Sequence, residues 1–155
     1  MEILHVGKMA PDFELPDQQG ERVRLSDFRN KKIVVLYFYP KDETPGCVRE
    51  ACAFRDQYEI FQQYAAEVIG ISADSVRSHK KFVEKRRLPF ILLSDRDKSV
   101  SKAYGVKGSL MGLLPGRETF VIDKEGVIQH HFSSQFQAEK HIEEALEVVK
   151  QIVDR

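Results

Sequence analysis

The two cysteines of the chain lie five positions apart in one short segment, YPKDETPGCVREACAFRD, which runs from Tyr39 to Asp56. The residues ahead of Cys47 are typical of a helix start. Thr44 suits the N-cap, Pro45 suits the first helical position, and Gly46 lets the backbone approach other groups closely. Cys47 then falls in the first helical turn, where unpaired backbone N–H groups and the helix dipole favour a thiolate over a thiol. The segment therefore predicts a nucleophilic or redox-active sulfur.

A thiolate enzyme also has to hold its substrate and stabilise the leaving group, so donors near the sulfur matter as much as its charge. The Thr44 hydroxyl lies three residues before Cys47, and Arg117 stands directly before the segment ETFVID, after a glycine-rich loop. If that loop end approaches the helix N-terminus, the arginine can add charge near the sulfur and donate to a polar substrate. From the residues alone, Thr44 could equally be only a cap and Arg117 an ordinary strand-end residue.

The composition is that of one globular domain. The chain has 155 residues, of which 42% are apolar and 31% charged, with Lys+Arg and Asp+Glu at 24 each. A zero net charge gives no electrostatic case for binding nucleic acid or a membrane surface. The N-terminal segment has no basic region followed by a long apolar run, so a soluble, cytoplasmic protein is expected. In that compartment a lone pair of cysteines is more often redox-active or inert than joined in a structural disulfide.

Strands and helices alternate along the chain. The patterns predict strands at 12–15, 22–25, 33–39, 67–72 and 90–95, a hairpin over 118–132 that turns at Asp123–Gly126, and one helical turn capped by Ser26. They predict helices over 46–65, 74–87 with Asp74 or Ser75 as the cap, 98–104 and 138–153. This order indicates an α/β domain with a mixed central β-sheet flanked by helices. It matches a thioredoxin-like fold with an N-terminal β-hairpin extension, and we assign residues 1–155 to a single domain.

The segment PKDETPGC, from Pro40 to Cys47, fits the peroxiredoxin signature Pro-x-x-x-Thr-x-x-Cys. The longer run FYPKDETPGCVREACAFRD, with RETFVID downstream, resembles the PrxQ (bacterioferritin-comigratory-protein) branch of that family, and the resemblance extends from APDFELPD to the last helix. It implies a thiol peroxidase without an organic or metal cofactor. The expected substrates are hydrogen peroxide and small organic hydroperoxides, and the expected reductant is thioredoxin or a similar dithiol. Because the branch is often monomeric, a monomer is expected.

The resemblance also gives each matching residue a role. Cys47 would attack the peroxide O–O bond and become a sulfenic acid. Cys52 would resolve that acid by closing an intramolecular disulfide. Pro40 would shield the sulfur, Thr44 would bind the thiolate and the peroxide, and Arg117 would complete the pocket.

The cysteine spacing then has a mechanical consequence. In a regular helix, five residues rise about 7.5 Å and turn about 500°, which leaves the two Cα atoms about 8.6 Å apart. A disulfide requires about 4.4–6.8 Å, so joining Cys47 to Cys52 requires the first helical turns to unwind. Cys47 falls on the apolar stripe of Ala51, Phe54 and Tyr58, whereas Cys52 falls on the wetter face. We therefore expect these turns to have low local stability.

Two other functions are compatible with this fold. A thiol–disulfide oxidoreductase usually carries Cys-x-x-Cys, and the four-residue gap here argues against it. A non-catalytic thioredoxin-like binding module would leave Cys47 an ordinary buried cysteine and Cys52 an inert surface thiol. No metal site is expected, because the histidines are scattered at 5, 79, 130, 131 and 141. The glycines at 105, 108, 112 and 116 lack the ending of a phosphate-binding loop.

Overall fold

The computed structural model describes residues 6–106, 116–134 and 137–154. The strands are β1 Glu14–Pro16, β2 Arg22–Arg24, β3 Ile33–Phe38, β4 Ala66–Ser72, β5 Ile91–Ser94, β6 Glu118–Ile122 and β7 Ile128–Ser133. The helices are α1 Pro45–Gln63, α2 Val76–Arg86, α3 Ser99–Ala103 and α4 Ala138–Val153, with a 3-10 helix at Leu25–Phe28. The predicted order of elements is confirmed, and the bounds of α4 agree with the prediction.

The central sheet has five strands in the order β5–β4–β3–β6–β7. β3 pairs in parallel with β4 and antiparallel with β6, so the sheet is mixed as predicted. All six residues of β3 are buried, which explains why its sequence, IVVLYF, is apolar without alternation. The N-terminal β1–β2 hairpin forms a separate two-stranded sheet, which confirms the predicted extension.

Side chains of β3 alternate between two hydrophobic clusters, one on each face of the sheet. Val35 and Tyr37 point toward α1, α2 and α4, where Phe54, Phe61 and Phe82 pack against them. The second cluster lies on the opposite face and contains residues of β3, the 3-10 helix, α3 and β6: Val34, Leu36, Phe38, Leu25, Val100, Tyr104 and Phe120. Helices on both faces make this the three-layer arrangement that the alternating elements predicted.

Helix α1 follows β3 after a short loop and therefore starts at the carboxyl edge of the sheet. Its buried residues include Ala51, Phe54 and Phe61, which lie on the predicted apolar stripe. The stripe does not reach Ala65, because the helix ends at Gln63 and Ala65 adopts a φ of 56°. Ser26 lies inside the 3-10 helix rather than at its cap, since Arg24 precedes the first turn.

None of the helices in the described ranges is long and apolar enough to cross a membrane. The predicted glycine-rich loop, residues 108–117, lies mostly outside the described residues, which resume at Gly116. His5, one of the histidines considered for a metal site, also lies outside them.

Candidate active site

Cys47 is the third residue of α1 and is 1% exposed. Both cysteines are free thiols, and Cys52 is half-buried one and a half turns further along the same helix. The helix is continuous from Pro45 to Gln63. Since an intact helix keeps Cα atoms five residues apart at about 8.6 Å, the two sulfurs are not placed for a disulfide in this conformation.

Arg117 lies beside the Cys47 sulfur. It stands directly before β6, the strand antiparallel to β3, and its side chain is 5% exposed. Nη2 donates to the Cys47 sulfur at 3.6 Å, and Nη1 donates to Oε1 of Glu50 at 2.6 Å. Burial opposes the charge on Arg117, but Glu50 and the Cys47 sulfur outweigh it and raise the pKa of the guanidinium. Arg117 therefore brings a fixed positive charge to the buried sulfur.

Gly46 makes this approach possible. A Cβ built at Gly46 would lie 2.7 Å from Nη2 of Arg117, which is closer than carbon and nitrogen can pack. The guanidinium can therefore occupy this place only because residue 46 has no side chain. The backbone conformation of Gly46 does not itself require glycine. The sequence indicated a close approach at Gly46, and the structure shows that the approaching group is the guanidinium.

Glu50 is a member of the site that the sequence analysis missed. It is fully buried on the inward face of α1, one turn after Cys47. Burial raises the pKa of Glu50 to about 8, although Arg117 acts in the opposite direction. A signal was present in the sequence, since position 50 lies with Cys47 and Phe54 on the buried face of the helix. An acid at such a position needs a partner, and that partner could not be identified before the strands were placed.

His141 of α4 extends the site behind Glu50. Nε2 lies 3.0 Å from the Ser134 carbonyl oxygen, which can only accept, so Nε2 carries a proton. Nδ1 lies 2.6 Å from the Thr119 hydroxyl and 3.6 Å from Oε2 of Glu50. Burial, with repulsion from Arg117, lowers the pKa of His141 to about 4, although the bond to Ser134 raises it. The ring is therefore neutral at pH 7, and the Thr119 hydroxyl donates to it.

The loop between β3 and α1 carries the remaining residues of the peroxiredoxin-like signature. Pro40 follows Tyr39, which is buried, and is itself half-buried. Thr44 occupies the N-cap position of α1, as predicted, but its hydroxyl donates to the Lys41 carbonyl oxygen at 2.7 Å. That hydroxyl bridges the loop rather than capping the helix.

A second polar cluster lies at the same edge of the sheet. Asp42, Asp74 and His79 each offer an atom that could bind a metal, and these atoms lie within 4.8 Å of one another. In the sequence His79 is one of several scattered histidines, and its spacing does not predict this group. Its members lie after β3, after β4 and in α2, so only the fold brings them together. Their ligand atoms are hydrogen-bonded within the cluster and to nearby hydroxyl groups.

The arrangement suits nucleophilic sulfur chemistry on a small substrate. The sulfur lies at a helix N-terminus with a guanidinium against it, and both features stabilise negative charge. The same donors can polarise an oxygen that approaches the sulfur. Because Cys47 is 1% exposed, the molecule that reacts with it has to be small or the site has to open.

Comparison with known proteins identifies similar chains. Residues 6–131 match the AhpC/TSA family. The chloroplastic peroxiredoxin Q of wheat, Triticum aestivum, is 55% identical over 146 residues, which are 94% of this chain and 67% of the relative. The crystal structure of peroxidoxin BcpB from Mycobacterium tuberculosis superposes with a TM-score of 0.88 at 44% identity, covering 95% of this chain and 97% of that one.

A third similar protein is the bacterioferritin comigratory protein of Xanthomonas campestris, whose structures concern alkyl peroxide reduction. It superposes with a TM-score of 0.83 at 29% identity and covers 91% of this chain and 92% of that one. These superpositions confirm the predicted fold class over nearly the whole chain.

The predicted cytoplasmic location was wrong. The wheat relative and other plant relatives of similar identity are chloroplastic. Composition, net charge and the absence of a long apolar run describe the folded domain. The compartment is set by a targeting signal that those properties do not report.

Proposed function

We propose that Cys47 attacks the peroxide and that Cys52 resolves the product. The chain belongs to the AhpC/TSA family, in its peroxiredoxin Q branch, and is a thiol peroxidase with two cysteines. The observation that carries the proposal is the contact between Cys47 and Arg117. A buried sulfur at a helix N-terminus accepts a hydrogen bond from a buried guanidinium 3.6 Å away. Cys52 is half-buried on the same helix, and the charge that acts on it, Arg55, is partly exposed and paired with Asp56.

In the first step, the Cys47 thiolate attacks the distal oxygen of a hydroperoxide ROOH. The S–O bond forms as the O–O bond breaks, and the leaving RO⁻ takes a proton to become ROH. In the second step, the Cys52 thiol attacks the sulfenic sulfur, the S–S bond forms, and the S–OH oxygen leaves as water. A dithiol such as thioredoxin then reduces the disulfide by exchange. These steps require no organic or metal cofactor.

Three further residues complete the proposed pocket. Arg117 donates to the sulfur and to the developing charge on the leaving oxygen, where its fixed position makes it effective. Thr44 presents its hydroxyl oxygen as an acceptor for peroxide while its proton is held by the Lys41 carbonyl. Pro40, half-buried at the start of the loop, limits the access of water to the sulfur.

The substrates that we propose are hydrogen peroxide and small organic hydroperoxides, supported by the burial of Cys47 and by the Xanthomonas protein's alkyl peroxide reduction activity. Residues 1–155 would act as a single domain and as a monomer, and the zero net charge gives no reason to expect nucleic acid or a membrane as a partner. Thioredoxin or a similar dithiol would be the reductant.

The test is peroxide consumption with thioredoxin recycling, comparing the wild type with Cys47→Ser and Cys52→Ser. Cys47→Ser should abolish turnover. Cys52→Ser should still reduce one equivalent of peroxide per chain but should lose efficient recycling. Turnover that survives Cys47→Ser would exclude the assignment. A reduced protein that cleaves the insulin disulfides as fast as it consumes peroxide would favour a thiol–disulfide oxidoreductase, and a protein inert in both assays would favour a binding module.

A further inference from the structure

The loop between β3 and α1 is anchored by a buried carboxylate. Asp42 is 6% exposed, and its Oδ1 accepts a hydrogen bond from the Tyr39 hydroxyl at 2.6 Å. Its Oδ2 accepts from the Ser78 hydroxyl at 2.8 Å and lies 2.7 Å from Nδ1 of His79. The backbone N–H of Asp42 donates to Oδ2 of Asp74 at 2.9 Å. These bonds tie the loop to α2 and to the segment that follows β4.

The ring of His79 is held between the loop and the sheet. Its ring is fully buried, and Nε2 lies 3.0 Å from the Leu93 carbonyl oxygen of β5, which can only accept. Nδ1 lies on the other side of the ring and faces the Asp42 carboxyl group. The ring of His79 therefore joins the loop to β5 through one contact at each nitrogen. The carboxyl group of Asp74 lies in the same cluster.

The next residue of the loop has an unfavourable backbone conformation. Glu43 has a φ of 65°, a region that residues with a Cβ seldom occupy. Its carboxylate lies 2.9 Å from Arg86 and 3.5 Å from Lys85, both at the end of α2. A conformation of this kind persists only where the surroundings over-determine it. The Asp42 cluster and the Glu43 ion pairs supply that constraint from the α2 side.

From these contacts we infer that Asp42 and His79 are positioning residues for the peroxidatic pocket. They hold the loop so that Pro40 and Thr44 stay beside Cys47 during peroxide attack. Their anchors come from α2, the end of β4 and β5, so the loop keeps its place when the first turns of α1 unwind for disulfide closure. The inference rests on the proposed function, because it concerns the pocket in which Cys47 reacts.

Two substitutions at one position separate the two bonds of the ring. His79→Asn keeps a side-chain N–H near the position of Nδ1 and so retains the bond to Asp42. His79→Gln reaches further and retains the bond to the Leu93 carbonyl while losing the bond to Asp42. Both variants remove the ring, so a difference between them reports the contact with Asp42. Lys81→Gln, at an exposed position of α2, is the control.

The measurement is the rate constant for oxidation of Cys47 by hydrogen peroxide, in competition with a reference peroxidase, followed separately from disulfide closure. His79→Gln should lower the oxidation rate constant by at least about fivefold and leave closure within about twofold, since misplacement of pocket groups affects the attacking step. His79→Asn should recover most of the oxidation rate. Equal losses in the two variants, or parallel losses in both steps, would overturn the inference.

A milder substitution keeps the inference testable if the His79 variants misfold. Ser78→Ala removes one donor to Asp42 at a half-buried site and should lower the oxidation rate constant by roughly twofold to threefold, with closure unchanged. An unchanged oxidation rate would count against the inference. If the wild type failed to consume peroxide, the proposed function would fail, whereas a wild-type oxidation rate in His79→Gln would overturn the inference alone.

Discussion

Nη2 of Arg117 lies 3.6 Å from the sulfur of Cys47, a residue 70 positions earlier in the chain. Nη1 of the same guanidinium lies 2.6 Å from Glu50. Because the guanidinium is planar and rigid, the acid fixes the direction in which the second nitrogen points. The position of the guanidinium beside the sulfur therefore depends on a buried carboxyl one helical turn away.

The first prediction concerns Gly46. Gly46→Ala should lower the rate constant for peroxide reduction by about tenfold or more, because its Cβ would fall 2.7 Å from Nη2 and displace the guanidinium from Cys47. Thermal stability should fall little, since the displaced atom is the end of a long side chain. Stopped-flow kinetics and a thermal melt on the same samples measure the two effects.

The control is a double-mutant cycle with Arg117→Ala. If the clash acts through the guanidinium, Gly46→Ala should cost almost nothing more in the Arg117→Ala background. Equal losses in both backgrounds would mean that the glycine matters for the helix start itself.

The second prediction concerns Glu50, whose pKa rises from an ordinary 4.5 to about 8 on burial. Between pH 4.5 and 8 the folded state therefore keeps a proton on Glu50 that the unfolded state has released. The stabilisation that comes from this proton is fully present below about pH 4.5 and is lost as the pH rises through about 8. Glu50→Gln removes the titration. The stability of Glu50→Gln relative to the wild type should therefore improve by more than about 1 kcal/mol between pH 5 and 8.

Denaturant unfolding of the reduced proteins at several pH values measures this difference. Glu147→Gln, at an exposed position of α4, is the control and should track the wild type. A constant gap between Glu50→Gln and the wild type would show that Glu50 is already ionised throughout the range.

The third prediction concerns His141, whose pKa falls from 6.5 to about 4. The unfolded state binds a proton on His141 more readily than the folded state does. The stabilisation that comes from the neutral ring is therefore fully present above about pH 6.5 and is lost as the pH falls toward 4. His141→Gln keeps the donor to Ser134 and removes the titration. The variant should be less stable than the wild type at pH 7, and the gap should narrow as the pH falls.

Melting temperatures from pH 7 down to pH 4.5 test this expectation. Thr119→Val is the matched control, because it removes the hydroxyl bonded to His141 but leaves the ring in place. It should lose stability at pH 7 and keep the acid sensitivity of the wild type. If His141→Gln showed that same acid sensitivity, the titrating group would lie elsewhere.

The fourth prediction concerns oxidation. One equivalent of peroxide should join Cys47 to Cys52, and the first turns of α1 should then lose their helical hydrogen bonds, because a regular helix holds the two Cα atoms about 8.6 Å apart. Hydrogen exchange of the amides at 46–53 should become much faster, while exchange at 55–63 should change little. The sulfenic acid of Cys52→Ser should keep the protection of the reduced protein. A crystal structure of the disulfide form with 46–53 helical would refute the prediction.

Most of the fold could be predicted from the sequence, because the signals for helices and strands are local. The apolar run of β3 and the periodicity of α1 and α4 predict these elements, and the structure differs only at the end of the α1 stripe, which stops before Ala65. The hydroxyl of Thr44 shows the limit even at short range. The N-cap position was correct, yet the hydroxyl bonds to the Lys41 carbonyl, because the loop offers a closer partner than the helix does.

The parts of the site that the sequence did not predict depend on contacts between distant segments. Glu50 and His141 meet because α4 packs beside α1, and Asp42 meets His79 because α2 packs beside the loop. No spacing rule within one element reports such a pair. A buried acid on an apolar stripe, such as Glu50, is the kind of local inconsistency that marks a site before its partner is known.

Glu50 lies between Cys47 and Cys52 in the chain, inside the ring that their disulfide would close. If the first turns of α1 unwind as predicted, closing that ring moves the acid away from Arg117, and the oxidised protein then lacks the site that accepts peroxide. On the proposed mechanism, one enzyme molecule cannot react with peroxide and with the reductant at the same time. Steady-state rates should then follow ping-pong kinetics, with parallel lines when both substrates are varied.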